Sequence, residues 1–189
     1  MATIGLFIHP DAIKKTTYVD ENVDEKYVRV AIERAQYRNI RPIIGSGIYD
    51  ELQTQINAGT LTALNTTLLT TYIQPALQWW TLRELVYPML YKFQNKNIAK
   101  KNSDNSTPIE LEEAVQLRNE FQNQAEELTE SIRLYLLEND TDYPKYDNPG
   151  TGVDVVHPSG NTFSAGWFLG SSGDDEKTAE ERFENPSDC

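Results

Sequence analysis

The chain has 189 residues, of which 39% are hydrophobic and 24% charged, and its 29 Asp and Glu against 17 Lys and Arg give a formal net charge of −12. That supports one helical core of ordinary size plus an extension, and it leaves two full domains cramped. It argues against wrapping nucleic acid or lying on an anionic membrane, since both need clustered Lys and Arg. The single cysteine, Cys189, rules out a disulfide within the chain. With only two histidines, a structural zinc site is not expected either. No apolar run reaches the roughly 18 residues of a membrane-crossing helix. Met1–Gly5 lacks the charged start of a secretory signal.

Residues 1–22 read as an entry segment, with apolar Leu6-Phe7-Ile8 and a turn at His9-Pro10-Asp11 leading into a short helix. Asp24 is a good N-cap, and Tyr27, Val28, Ala31, Ile32 and Ala35 recur at helical spacing to about Asn39. Pro42 is expected to break that helix, with Ile43–Gly47 as a tight apolar connection. Ile48, Leu52 and Ile56 mark a second helix stopped by Gly59 in a left-handed cap.

Residues 62–94 form the expected core helix, bent or divided at Pro75 and Pro88. Trp79 and Trp80 point about 100° apart, so this helix must be buried on more than one side. A polar loop is expected over 95–107. Thr107-Pro108-Ile109-Glu110 then has the pattern of a capping box. The helix it opens runs to about Glu138, roughly 45 Å at 1.5 Å per residue. Leu111, Val115, Phe121, Ala125, Leu128, Ile132 and Tyr135 give it one apolar stripe.

The composition changes after residue 139. Asp140–Cys189 carries eleven acids and three bases, a net of −8, and is rich in Pro, Gly and Ser. It is too polar to bury a core of its own, yet it holds two apolar islands. One contains Val153, Val155 and Val156. The other contains Phe163, Trp167, Phe168 and Leu169. Turn formers at His157–Asn161 separate them, so a hairpin and two extended arms both fit. Large apolar side chains with no local core anchor an extension onto something else. These seven residues are therefore the expected docking residues. The fold class that emerges is all-α, a compact helical bundle with one long C-terminal helix over 1–146, followed by an extended acidic tail over 147–189 in which short β-strands could form.

The motifs that would carry chemistry fail on inspection. Asp20, Asn22 and Asp24 open a calcium-loop pattern, but Glu25 and Ala31 stand where its glycine and closing glutamate belong. Gly45-Ser46-Gly47 lacks the Lys-Ser or Lys-Thr of a phosphate cradle. His9 and His157 each precede a proline in an expected loop, with no nucleophile placed beside them. The acidic pairs lie on expected exposed faces. No catalytic residue, cofactor or metal ligand is expected. The one basic cluster visible along the sequence is Lys92, Lys96, Lys100 and Lys101.

Ile40-Arg41-Pro42-Ile43-Ile44-Gly45-Ser46-Gly47-Ile48-Tyr49-Asp50-Glu51-Leu52 resembles a short signature of small phage head–tail adaptor proteins, in particular those of phages infecting Bacteroidetes, crAss-like phages included. Tyr72-Ile73-Gln74-Pro75-Ala76-Leu77 and the Asn-rich loop before the long helix resemble the same family, over about residues 4–146. The resemblance implies a non-enzymatic virion protein of the neck, made in the host cytoplasm. It would form a ring, commonly of twelve copies, below the portal. It would bind the portal protein and a downstream neck or tail protein, and genome DNA would only pass through its channel. Another helical neck or tail-completion protein, or a soluble helical protein-interaction module, are the alternative readings.

Overall fold

The computed structural model describes residues 4–93, 98–100 and 109–159. They form an all-α bundle with one short β-ribbon. A first helix, α1 (Pro10–Thr16), is capped by the His9 side chain, which accepts from the Asp11 N–H at 3.3 Å. The second, α2 (Glu25–Ala35), starts at the expected cap: Asp24 Oδ1 accepts from the Lys26 N–H at 2.9 Å. Ahead of it, Asp20 spends its carboxylate on the N–H of Asn22 at 2.8 Å.

The break expected at Pro42 is not there. The chain passes from α2 through a π-helical turn, Gln36–Ile40, straight into α3 (Arg41–Ala58). Proline has no N–H and its ring crowds the carbonyl four residues back. Here the wider turn relieves that crowding, with the Arg41 N–H bonding to Gln36 O five residues back. The interruption falls three residues later at Gly45, whose φ of 76° and ψ of 160° leave helical space. Gly59 ends α3 in the expected left-handed conformation, φ 66°.

The same device recurs. After α4 (Ala63–Thr67), capped by the Thr62 hydroxyl, a π-turn spans Leu68–Ile73 and leads into α5 (Gln74–Leu90). Pro75 again sits just past a π-bond, Gln74 N–H to Leu69 O. Pro88 lies inside the last turn of α5 without ending it. Two three-residue strands, β1 (Tyr91–Phe93) and β2 (Ile98–Lys100), then pair antiparallel with Tyr91 opposite Lys100. They flank the start of the expected polar loop and were not anticipated.

The long helix, α6 (Leu111–Glu138), has 28 residues, about 42 Å. Its capping box is one turn later than expected. Glu110 is the N-cap and Glu113 its partner, with Glu113 Oε2 accepting from the Glu110 N–H at 3.0 Å. A short α7 (Pro144–Asp147) follows.

Helix α5 is the centre of the bundle, packed on α2 and α6. Trp80 is buried and its indole N–H donates to Thr129 Oγ1 at 3.1 Å. Trp79, half-buried, lies between Phe121 and Tyr18. The two tryptophans thus serve two sides of one helix. Three glutamines hold the entry segment: Gln53 and Gln36 donate to Gly5 O at 2.7 and 2.9 Å, and Gln74 to Phe7 O at 2.8 Å. Gln36 is fully buried, and its oxygen accepts from the Phe7 N–H. The α6 stripe is buried at Ala125 and Ile132 but open at Leu111 and Val115, and Leu136, outside the expected stripe, is buried in place of Tyr135, which is only half-buried.

Candidate functional site

Three surfaces stand out. The first is the junction where the chain leaving α7 returns over α3. Pro149 rests on Gly47, where an added Cβ would come within 2.8 Å of its Cα. The Ser46 N–H donates to Val156 O at 2.9 Å, and the Val156 N–H donates to Ser46 Oγ at 3.0 Å. Arg41 Nη2 donates to Asp154 O at 3.0 Å, and the Ser159 N–H to Pro42 O at 2.7 Å. Buried Pro158 packs on Gly45. The kink therefore exposes backbone groups that the returning strap satisfies, and a side chain at Gly45 would obstruct the fit. Packing against α3 continues past residue 146, through Ser159.

Nearby, Glu51 gathers α3, α4 and α7. Its carboxylate accepts from Asn65 at 2.8 Å and Gln55 at 3.0 Å and pairs with Lys145 at 2.8 Å. Burial alone would raise the Glu51 pKa, but the hydrogen bonds from Lys145 and Asn65 and the Lys145 charge outweigh it and hold it below its usual value. Tyr143 donates to Leu64 O at 2.9 Å; burial, reinforced by Tyr135, pushes its hydroxyl well above the usual phenol value.

The second surface is an apolar cleft of about 410 Å³ between the α1–α2 connection, the second half of α5 and the start of α6. Val23, Leu85, Val86, Met89, Leu117 and Phe121 line it, and Leu111 and Val115 lie exposed at the same end of α6.

The third is a set of four arginines drawn from three helices. Buried Glu84 on α5 pairs with Arg83 at 2.7 Å and with Arg34 of α2 at 3.6 Å. Arg83 also donates to Gln122 of α6 at 3.1 Å and lies over the Trp80 ring. Arg118, one turn before Gln122, lies over Tyr87, and its buried Nε has no hydrogen-bond partner. Leaving such a donor unmet costs about 1–3 kcal/mol. Arg38 is one turn beyond Arg34. Burial lowers the Arg83 pKa, and the charges of Arg118 and Arg38 push it the same way; Arg34 joins through Glu84. Among the described residues, Glu84 is the one carboxylate in salt-bridge contact with the set.

Of the expected docking residues, Val153 is fully exposed, and Val155 and Val156 are half-buried, the latter tied to Ser46 through its backbone. Phe163, Trp167, Phe168 and Leu169 lie outside the described residues, as do Lys96 and Lys101 of the sequence cluster, while Lys92 and Lys100 fall on β1 and β2. The arginine set escaped the sequence reading because its members are 4 to 84 residues apart, and only the packing of separate helices unites them. The available signal was weak: Arg34 and Arg38 at helical spacing.

Residues 40–155 match the family of unknown function DUF6712. The chain belongs to this family. The DUF6712 match runs from the last residue of the first π-turn to Val155, so it takes in the Gly45 kink, the cleft walls on α5 and α6, and most of the strap. Arg83 and Arg118 fall inside it, Arg34 and Arg38 outside. No curated protein and no solved structure matches the chain.

Proposed function

We propose that this DUF6712 protein is a structural head–tail adaptor of a tailed phage, forming a ring below the portal that extends the DNA channel and docks the next neck or tail protein. In this reading it is not an enzyme, works in the virion neck, and contacts DNA only as the genome passes. The observation that carries the proposal is the apolar cleft at the α5–α6 end of the bundle, together with exposed Leu111 and Val115 at the same end of α6. Apolar surface of this kind is what a neighbouring subunit covers. The motif resemblance supports the same reading, since Ile40–Leu52 builds the kinked start of α3 that receives the strap. The arm beyond Ser159, with Phe163, Trp167, Phe168 and Leu169, is assigned to docking on a neighbouring subunit or ring.

Size-exclusion chromatography with light scattering, with and without the portal protein, tests this. A ring, or a complex with the portal, is the expected result. A monomer that ignores the portal would favour the helical interaction module instead. A Trp167→Ala, Phe168→Ala double variant should weaken ring formation or partner binding; unchanged behaviour in both would remove the arm from the proposal.

A further inference from the structure

Pro42 O and the Ser46 N–H are four residues apart, the pair that an unbroken α-helix would join. The φ of 76° at Gly45 parts them, and the strap fills the gap from both sides. The Ser159 N–H donates to Pro42 O at 2.7 Å, and Val156 O accepts from the Ser46 N–H at 2.9 Å. Arg41 Nη2 donates to Asp154 O, and Ser46 Oγ accepts from the Val156 N–H. All four of these bonds end on the main chain of the strap. The Pro158 ring adds a contact of shape, seated where Gly45 lacks a Cβ.

The opposite side of the kink is held by the core, where Ile43, Ile44 and Ile48 are buried in the main apolar cluster. The kink is therefore a preformed cradle for one extended segment, with two donors, two acceptors and a seat for proline. It reads main chain and a ring, so it does not distinguish the strap of its own molecule from that of a second copy.

The link that delivers the strap is lightly held. Gly150 and Gly152 have φ of 114° and 149°, in the region that favours glycine. A Cβ built on Gly150 would meet nothing within 4 Å, and Val153 is fully exposed. The chain rests on Gly47 at Pro149, and among the described residues its next bond to the α3 region is at Asp154. Extended, the steps between those two residues span up to about 17 Å. Rotation about the two glycines would redirect the strap to an equal cradle within that reach.

We propose that the Pro42–Ser46 cradle is an exchange site, which takes the Asp154–Ser159 strap of a second copy of this chain in place of its own. An exchanged strap makes the same four bonds, so the closed and exchanged forms differ little in contact energy. Local concentration separates them. A short tether favours closure at roughly the millimolar level, and copies packed side by side offset that advantage. Exchange goes beyond the adaptor reading, since it needs a second copy and no portal; where that reading holds, it stitches neighbours in the ring.

Two full-length proteins test this, each carrying Cys189→Ser, one with Ser46→Cys and the other with Val156→Cys. Val156 N lies 3.0 Å from Ser46 Oγ in the closed strap, and neither protein can form the disulfide across that contact by itself. Mixed at about 1 mM, the level of the tether, and mildly oxidised, they should give a heterodimer disulfide. Its yield should be at least about fivefold that of Val156→Cys mixed with a control at exposed Thr70, Thr70→Cys. A roughly tenfold excess of a synthetic peptide of residues 151–159 should bring the yield down to that control by mass action. The unmodified chain gives a second reading. With one set of copies labelled with heavy nitrogen and the other with heavy carbon, a nuclear Overhauser effect from the Ser46 N–H to the Pro158 ring arises only between copies. A disulfide yield equal to the control, a yield that the peptide leaves unchanged, or absence of that signal in the mixture would each overturn the proposal. A ring without exchange would keep the adaptor reading and remove this one, and exchange in a protein that ignores the portal would do the reverse.

Discussion

The two ends of this bundle solve opposite problems. At the α3 end, a kink that frees backbone groups is answered within the chain: Val156 meets Ser46, Ser159 meets Pro42, and Glu51 joins three helices. At the α5–α6 end, an apolar cleft stays open and a buried Arg118 nitrogen has no acceptor. Polar groups buried without partners are uncommon in native chains. The first end has unmet atoms too, Asn39 Oδ1 and Arg133 Nε, so the contrast rests on the cleft: the first end is covered by its own strap, while the second leaves apolar surface open. Substitutions at the first should therefore cost stability, and substitutions at the second should cost association.

The largest loss is expected between the two ends. Trp80→Ala removes a buried indole and strands Thr129, and should destabilise by about 3–5 kcal/mol in urea unfolding. A loss under about 1 kcal/mol would mean that the α5–α6 contact is loose. Next comes the closed end. Gly45→Ala forces a residue with a Cβ into φ 76° and against Pro158 Cγ at 3.0 Å, which should cost about 1–3 kcal/mol and expose residues 150–159 to protease. An unshifted midpoint with an intact strap would show that the kink can relax.

Glu51 should contribute less, about 0.2–1 kcal/mol, because its pair with Lys145 is partly exposed. Its folded pKa lies below the ordinary 4.5, so the stabilisation is present above that value and disappears as pH falls through the folded pKa. Glu51→Gln should flatten the acid limb of the stability profile and leave the profile above pH 6 parallel to the parent. The smallest effect on folding is expected at the open end. Leu111→Ser with Val115→Ser should shift stability by no more than about 0.5 kcal/mol, yet raise the concentration needed for self-association. Unimpaired association would place the interface elsewhere.

Local chemistry made part of this legible. The Asp24 cap, the Gly59 stop and the two-sided tryptophans each depend on a few adjacent residues, and all are as the pattern implied. The capping box shows the limit. Thr107-x-x-Glu110 satisfies the rule and Glu110-x-x-Glu113 does not, because glutamate is not among the preferred caps, yet the second is the box observed. Pro42 shows another, because a breaker in an α-helix is acceptable one residue after a π-bond, and that bond leaves no mark in composition. The strap and the arginine set depend on pairings across 110 and 50 residues, Ser46 with Val156 and Arg34 with Glu84. The periodicity of one element carries no information about which distant element it will face.

The recurrence of Ile-x-Pro at Ile40–Pro42 and Ile73–Pro75, each directly after a π-turn, has a consequence for how the chain tolerates change in length. A π-turn holds about one residue more than an α-turn, as its bonds reach back five residues rather than four. Shortening the chain by one residue at exposed Thr70 or Thr71 would let that turn become α-helical, with Leu68 and Trp80 still directed at their present neighbours. The strain would then fall on Pro75 alone. The same deletion in the regular part of α5, for example at Gln78, would swing everything beyond it by about 100° and turn Trp80 away from Thr129. Thermal melting should separate the two, the first still cooperative and the second not. The π-turns would then be insertions that the fold has absorbed, leaving these two places where length is free to vary and the packing phase is not.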